Sequence, residues 1–357
     1  MTPDVSEKPL LTLGVIAYNQ EAFIENAVLG AFSQTYTPLE IILSDDCSSD
    51  GTFDVMQKMV AAYRGPHRVT LNRNETNRGI GGHVNRVFEL AHGKLILLGG
   101  GDDISLPSRA QVNYEASETS REEAMFVQSA MIVIDDAGQD LEDTGLEFSW
   151  SKEGTVTEMR LSIRDFFGPA KPWIFGCAAA WSPRLMEAFG PLPEDLVHED
   201  EALALRAACL GPSLRVGVPL VKYRLHRKNT FSASRRGATS IEEMDQQEAR
   251  SQRELQTRYG MYGAFMSDLK HAINKSFISQ SAFAYAMAFC QKQQELLQHE
   301  IDFYDSSFIR KCRLLLALRK RGLPASEVRR LLPRLLPQRS FRALKSWRNS
   351  FRGPLRT

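Results

Sequence analysis

Two short apolar runs, Leu39–Leu43 and Leu95–Leu98, each end in a cluster of aspartates. The first cluster is Ser44-Asp45-Asp46-Cys47-Ser48-Ser49-Asp50-Gly51-Thr52. The second is Gly99-Gly100-Gly101-Asp102-Asp103. A short, continuously apolar run reads as a strand buried on both faces of a parallel sheet. Open α/β sheets bind ligands beyond the carboxyl ends of such strands, which is where these acids fall. Carboxylates suit a hard cation that bridges to phosphate, and they accept hydrogen bonds from ribose and base. The first half of the chain therefore reads as built to hold a metal and a nucleotide.

The flanking pattern agrees. Leu10–Tyr18 reads as a first strand, with Asn19 as cap of a helix from Glu21 to about Ser33. Helices are expected over Thr52–Tyr63, after a turn-rich Asn74–Gly82 to Ala91, and from Pro107 to about Ser120. A short strand falls at Val69–Leu71 between the first two. This alternation implies right-handed βαβ units and a parallel sheet. Met125–Ile134, Ala178–Ser182 and Leu214–Val218 read as further strands, and Glu199–Leu210 as a helix. The stretch 140–168 reads as irregular and polar. From 241 to 300 there is no proline, and helices are expected throughout. Three regions follow: 1–235, a helical region 236–309, and a basic tail 310–357.

The net charge of +1 conceals an asymmetry. From Arg310 to Arg356 there are fifteen Lys/Arg and one acid, Glu327, a net of +14, so +1 less +14 leaves −13 for the rest. An acidic body with a basic tail points to an anionic surface as partner, membrane or nucleic acid. At helical spacing Phe341, Leu344, Trp347 and Phe351 share one arc, flanked by Arg342, Lys345 and Arg352. That pattern favours a helix lying on anionic lipid. Neither a signal peptide nor a run of about 18 apolar residues is expected, which argues against a spanning helix. Five cysteines without C-x-x-C spacing favour a reducing compartment over a disulfide frame or a zinc site.

Several motifs now occur in order: Ala17-Tyr18-Asn19, Gln34-Thr35-Tyr36, the Glu40–Thr52 segment, Asn77-Arg78-Gly79, Asn85 and Asp102-Asp103. They continue with His198-Glu199-Asp200, Arg206 and Tyr223-Arg224-Leu225-His226. The set resembles the family 2 inverting glycosyltransferases with a GT-A fold, over about Leu10 to Ser232. The resemblance implies an α/β fold with a mostly parallel sheet flanked by helices. It also implies a nucleotide-sugar donor, with a family tendency to UDP, and Mg²⁺ or Mn²⁺ as cofactor. Ala17, Tyr18, Asp45, Asp46, Asn77, Arg78 and Asp102 would then contact the nucleotide. Asp102 and Asp103, with His226, would hold the metal. Asp200 would be the base that takes the acceptor proton, a role worth about 10²–10⁴-fold in rate. The implied setting is bacterial surface-polysaccharide or lipopolysaccharide assembly, at the inner face of the cell membrane, with a glycan or glycolipid acceptor and no nucleic acid.

Other readings stand beside these. Ser48, Ser49 and Asp50 suit a turn that caps the next helix. Glu199-Asp200-Glu201 would equally favour a helix dipole. Gly100 occupies the place of the first acid in the commoner Asp-x-Asp-Asp pattern. Gly79-Ile80-Gly81-Gly82 lacks both G-x-G-x-x-G and G-K-[ST], and it does not directly follow the first strand. Arg224 and Arg227 could neutralise diphosphate. Trp173 and Trp181 could stack on sugar rings or pack in the core. A nucleotidyltransferase or a non-catalytic nucleotide-sugar-binding scaffold are the alternative functions.

Overall fold

The computed structural model describes residues 8–141, 155–159, 161–168, 173–226 and 241–304, with a few positions up to 319. Most of the basic tail, its aromatic arc and Arg227 lie outside the described residues.

The chain alternates strand and helix as its patterning requires: β1 (Leu11–Ala17), α1 (Ile24–Phe32), β2 (Leu39–Asp45), α2 (Thr52–Ala62), β3 (Arg68–Arg73), α3 (Gly79–Leu90), β4 (Ile96–Gly100), β5 (Ile104–Ser105), α4 (Arg109–Ser117) and β6 (Phe126–Ile134). There follow β7 (Val156–Met159), α5 (Ile163–Phe166), a 3₁₀ turn at Gly176–Ala178, β8 (Ala179–Trp181), α6 (Arg184–Phe189), α7 (Glu199–Leu210) and β9 (Ser213–Arg224). Two long helices close the described chain, α8 (Ile241–Asn274) and α9 (Gln280–Tyr304).

The nine strands form one sheet in the order β3-β2-β1-β4-β8-β6-β9-β5, with β7 beside β9. It is mixed rather than parallel throughout. β3, β2, β1 and β4 run parallel, but β8 lies antiparallel to both β4 and β6. Along β1, Leu11, Leu13 and Val15 point into a core shared with Ile24 and Val28 of α1 and Met56 of α2. Gly14 faces the other side, where an added Cβ would meet Val87 of α3 at 2.5 Å. The period-2 alternation of a strand thus puts α1 and α2 on one face and α3 on the other.

Four local expectations are corrected. Asn19 does not cap α1; Phe23 occupies that position, and Asn19 sits at φ +53° with its Oδ1 accepting the Ser49 N–H at 2.8 Å. The helix expected from Pro107 begins two residues later at Arg109. Within 140–168, supposed irregular, lie β7 and a short α5 held by a reciprocal Ser162–Asp165 capping box. The strand expected to end at Val218 runs on to Arg224, which carries the Tyr223-Arg224 pair onto the sheet.

The described chain divides into two compact units. One comprises the residues up to His226 together with Ser267–Ala286; the other comprises Arg227–Met266 and the chain from Met287. In the first, Arg206 of α7 is fully buried and grips Asp268 of α8 with Nε and Nη2, at 2.8 and 3.2 Å. In the second, Tyr262 packs against Phe265 and Phe289, and Gln294 donates to the Tyr259 carbonyl.

Candidate active site

The sheet has one topological switch point. The chain steps outward from β1 to β2 and β3, then returns to the other side of β1 with β4. A crevice opens at the carboxyl ends where the order reverses, here between β1 and β4. Register puts Ala17 beside Asp45 and Ile16 beside Gly100, so the β1, β2 and β4 ends lie in one row. Both aspartate clusters emerge at this edge.

Asp45 and Asp46 end up with different jobs. Asp45 is fully buried. Its Oδ2 accepts the Ser48 N–H at 2.9 Å and pairs with Arg73 Nε at 3.5 Å. Its Oδ1 is a buried acceptor without a hydrogen-bond partner among the described residues. Asp46 Oδ1 accepts from Asn74 Nδ2 at 2.7 Å and from the Arg78 N–H at 2.9 Å. Asp46 therefore ties the 74–78 loop to the end of β2. Asn77 helps, donating to the Asp46 carbonyl and accepting from the Gly79 N–H. Tyr18 stands exposed just beyond β1. The turn expected to cap α2 does so in part, as Asp50 Oδ1 accepts the Thr52 N–H at 3.0 Å.

Arg78 is half-buried and ion-paired with Glu194. The glycines after it serve packing. An added Cβ on Gly81 would meet the Pro193 carbonyl oxygen at 2.3 Å, and on Gly79, at φ +70°, the Glu194 carbonyl at 3.2 Å. The Gly81 and Gly82 N–H groups donate to Leu196 O and Glu194 O. These N-terminal donors of α3 are thus used by the 193–196 segment, which removes the physical basis of a phosphate-loop reading.

After β4 the backbone turns through Gly101, whose N–H donates to Ile16 O at 2.9 Å. Asp102 Oδ2 then faces His226 Nε2 at 2.8 Å. Asp103 is buried, and its Oδ1 accepts the Arg224 N–H at 3.0 Å. Burial and the neighbouring Asp102 push the Asp103 carboxyl well up, against the pull of the Arg224 N–H and the Cys177 thiol. A Cβ on Gly100 would stand 2.6 Å from Asp102 Oδ1 and 3.1 Å from Asp103 Oδ2.

The three expected metal ligands do not form one set. Asp102 and His226 face each other, whereas Asp103 turns to Arg224 and Cys177. Among the described residues no group of three His, Cys, Asp or Glu has the arrangement of a metal cage. A carboxylate with an adjacent imidazole does fit a hard cation that takes its remaining ligands from phosphate oxygens and water.

Arg224 is a scaffold for this loop. Fully buried, it donates through Nε to Asp102 O and through Nη1 to the Asp135 and Asp136 carbonyls, and its guanidinium lies 4.9 Å from the Phe23 ring centroid. Those contacts engage its Nε and Nη1 with backbone carbonyls. Arg109 acts similarly from beneath. Its Nη2 donates to Leu98 O at 2.7 Å and its Nη1 to Ser105 Oγ at 2.9 Å, and burial lowers it to about 10.

Asp200 sits in the first turn of α7, where its Oδ1 accepts the Glu201 N–H at 2.8 Å. The 3₁₀ turn brings it to the acid loop. A Cβ on Gly176 would meet Glu199 Oε1 at 3.1 Å and the Asp200 Cβ at 3.3 Å, and the next residue, Cys177, is near enough to Asp103 for each to shift the other's titration. Tyr223 records the same gathering. Its phenol is pushed up by burial first, then by Cys177, Asp103, Asp102 and Asp200. Burial and then Asp200 likewise raise Glu199 well above the carboxylate range. Cys177, Glu194 and Arg109 were not singled out from the sequence; nothing in their local spacing marks them.

Comparison with known proteins bears on the family and the fold. The family described as glycosyl transferase family 2 matches residues 12–160. The succinoglycan biosynthesis protein ExoO of Rhizobium meliloti is 33% identical over 118 residues, 33% of this chain and 32% of that protein. The Escherichia coli protein WfaP, a UDP-Glc:alpha-D-GlcNAc-diphosphoundecaprenol beta-1,3-glucosyltransferase, is 30% identical over 112 residues, 31% of this chain and 43% of WfaP. The chain thus spans less than half the length of these relatives. S. aureus TarS 1-349 superposes with a TM-score of 0.54 at 15% identity, covering 97% of this chain and 92% of TarS 1-349. The fold is that of the GT-A glycosyltransferases, with a helical C-terminal region.

Proposed function

We propose that this chain, whose residues 12–160 match glycosyl transferase family 2, moves a sugar from a nucleoside-diphosphate sugar to an acceptor hydroxyl with inversion. The observation that carries the reading is the meeting of three acid groups at one switch point: Asp45-Asp46, Asp102-Asp103 and Asp200.

Asp45 supplies the buried acceptor Oδ1 for a base N–H of the nucleotide. A buried acceptor left without a donor costs about 1–3 kcal/mol, so a ligand N–H at this place gains that much. Ala17 and Tyr18 border the same pocket from β1. Asp46 and Asn77 hold Arg78 at its mouth, where the guanidinium meets the nucleotide. Asp102 would reach the ribose or, with His226, would hold Mg²⁺ or Mn²⁺, while Asp103 braces the loop through the Arg224 N–H. Such a cation supplies Lewis-acid neutralisation of the diphosphate. Asp200 accepts the proton of the attacking hydroxyl as the new bond forms at the anomeric carbon on the face opposite the leaving group. Charge spreads over an oxocarbenium-like transition state, as in other glycosyl chemistry.

UDP is the expected nucleotide; the name of WfaP specifies UDP-Glc for that relative. The setting is bacterial surface-polysaccharide assembly, as in the name of ExoO, with the enzyme on the inner face of the membrane and a glycan or glycolipid as acceptor. A panel of nucleotide sugars tested by thermal shift with Mn²⁺ would identify the donor, because binding to the native state alone raises Tm. Release of nucleoside diphosphate from the stabilising donor supports transfer. Binding without any release would leave a scaffold, and stabilisation by none of the panel would sink the reading.

A further inference from the structure

The two tryptophans ahead of Asp200 fall into different environments. Trp181 is fully buried on β8 and packs on Phe126, with ring centroids 5.0 Å apart. Trp173 is 71% exposed, the most exposed large apolar side chain among the described residues.

Trp173 is nevertheless held by a built loop. Gln128 of β6, itself fully buried, donates Nε2 to the Trp173 carbonyl at 3.3 Å and accepts the Phe175 N–H at Oε1 at 3.4 Å. Arg215 Nη2 reaches the same Trp173 carbonyl at 3.5 Å. The Phe175 ring lies nearly parallel to the indole, 16° between planes and 6.5 Å between centroids. One amide side chain thus fixes the backbone on both sides of Ile174 and presents the indole outward. Gly176, the residue after Phe175, is the one that abuts Glu199 and Asp200. Three residues of extended chain span at most about 10 Å. On the length scale of a pyranose, that is one to two rings from the Asp200 carboxylate.

We propose that Trp173 forms an acceptor subsite, its indole face stacking on a pyranose ring one or two units from the hydroxyl that Asp200 faces. The proposal rests on the glycosyl-transfer reading above. An aromatic face carries negative charge and its edge positive, so it attracts the weakly positive axial C–H groups of a sugar's apolar face. A rigid two-torsion ring also loses little entropy on binding. A lone indole suits a ring-sized ligand, and among the described residues no other large exposed apolar side chain on the same loop extends it into a broad protein-binding patch.

The test uses the full chain and its Trp173→Ala and Trp173→Phe variants on an array of bacterial surface oligosaccharides. The wild-type protein should be retained on a subset of glycans. Trp173→Ala should lower that retention about tenfold, and Trp173→Phe should restore most of it. Equal retention of Trp173→Ala, or retention of no glycan by the wild type, overturns the proposal. UDP-GlcNAc binding by calorimetry and Tm are measured on the same proteins. Both should be unchanged in Trp173→Ala; a parallel fall in Tm and nucleotide affinity would mark a structural role instead and overturn the subsite. If the wild type binds glycans but no nucleotide sugar of any kind, glycosyl transfer fails while the subsite stands.

Discussion

Nε2 of His226 lies 2.8 Å from Oδ2 of Asp102, joining the end of β9 to the loop after β4. The His226 ring is in turn backed by Phe23 at 4.8 Å between centroids. This pair offers one carboxylate and one imidazole at the place where a donor diphosphate would lie. Nucleoside-diphosphate binding is therefore expected to depend on Mg²⁺ or Mn²⁺. EDTA and Asp102→Ala should each weaken it in calorimetry. Equal affinity with and without metal would remove the cation from the scheme.

Asp200→Asn should keep the fold and donor affinity but slow transfer about 100-fold, the low end of a general-base contribution. The amide nearly matches the carboxylate in shape and can still accept the Glu201 N–H that Asp200 Oδ1 accepts now. Single-turnover rates alongside donor Kd separate the two effects. Near-normal turnover would move the base elsewhere, with Glu199 first in line because it shares the contact with Gly176.

Glu199 gives a signature in stability. Burial and Asp200 hold its folded carboxyl above the ordinary range. Its contribution to stability is then fully present below the unfolded pKa and lost as pH rises through the raised folded value. Glu199→Gln cannot ionise and escapes that loss. Relative to wild type, its Tm should be equal near pH 4 and higher near pH 8, by about 2–4 °C for each kcal/mol relieved. A Tm difference that stays flat across this range would contradict the assignment.

How much of this was legible in the sequence follows from where the information lies. Asp45 and Asp102 could be placed at one sheet edge because each follows a run of apolar residues whose period marks a strand. The strand–helix order of the first hundred residues came from the same periodicity. β7 was missed because Val156–Met159 is short and mostly exposed, so it carries no apolar alternation. β9 was cut short because Pro219 and Lys222 interrupt its apolar run, whereas the register with β6 shifts around Ala130 and carries the strand on. The closeness of Gly176-Cys177 to Asp200 and Asp103, and the Arg78–Glu194 pair, depend on residues 24, 74 and 116 apart in sequence. Such contacts leave no local pattern. Arg224 is a related case: sequence shows a basic residue in a motif, and only the structure shows that it is fully buried with Nε and Nη1 donating to backbone carbonyls.

The tail supplies a prediction from charge alone, since 310–357 is almost wholly outside the described residues. No helix among the described residues is long and apolar enough to cross a membrane. With a net +14 and the Phe341/Leu344/Trp347/Phe351 arc, the full chain should sediment with anionic liposomes, and a chain ending near Gly322 should not. Binding should weaken as salt shortens the screening length to about 3 Å at 1 M. If both chains sediment alike, or neither does, the tail has another partner.

Gly81 tests the link between the donor side and the 193–196 segment. An added Cβ would lie 2.3 Å from the Pro193 carbonyl oxygen and 3.0 Å from that of Leu196, both backbone atoms that cannot rotate away. The Gly81 N–H also donates to that same Leu196 oxygen at 3.0 Å, and Asn85 exchanges two hydrogen bonds with Leu192 just ahead. Gly81→Ala must therefore push α3 off the segment. Overpacking of this kind costs about 1–3 kcal/mol. The displacement also strains the Arg78–Glu194 pair and the Asp46–Arg78 hydrogen bond one turn away. Lower Tm with weakened nucleotide binding is the expected result. Gly82→Ala, whose Cβ would meet only side-chain atoms of Arg78 and Glu194 at 2.9–3.4 Å, should cost less. Equal Tm for the two variants would mean that the segment yields freely and does not brace α3.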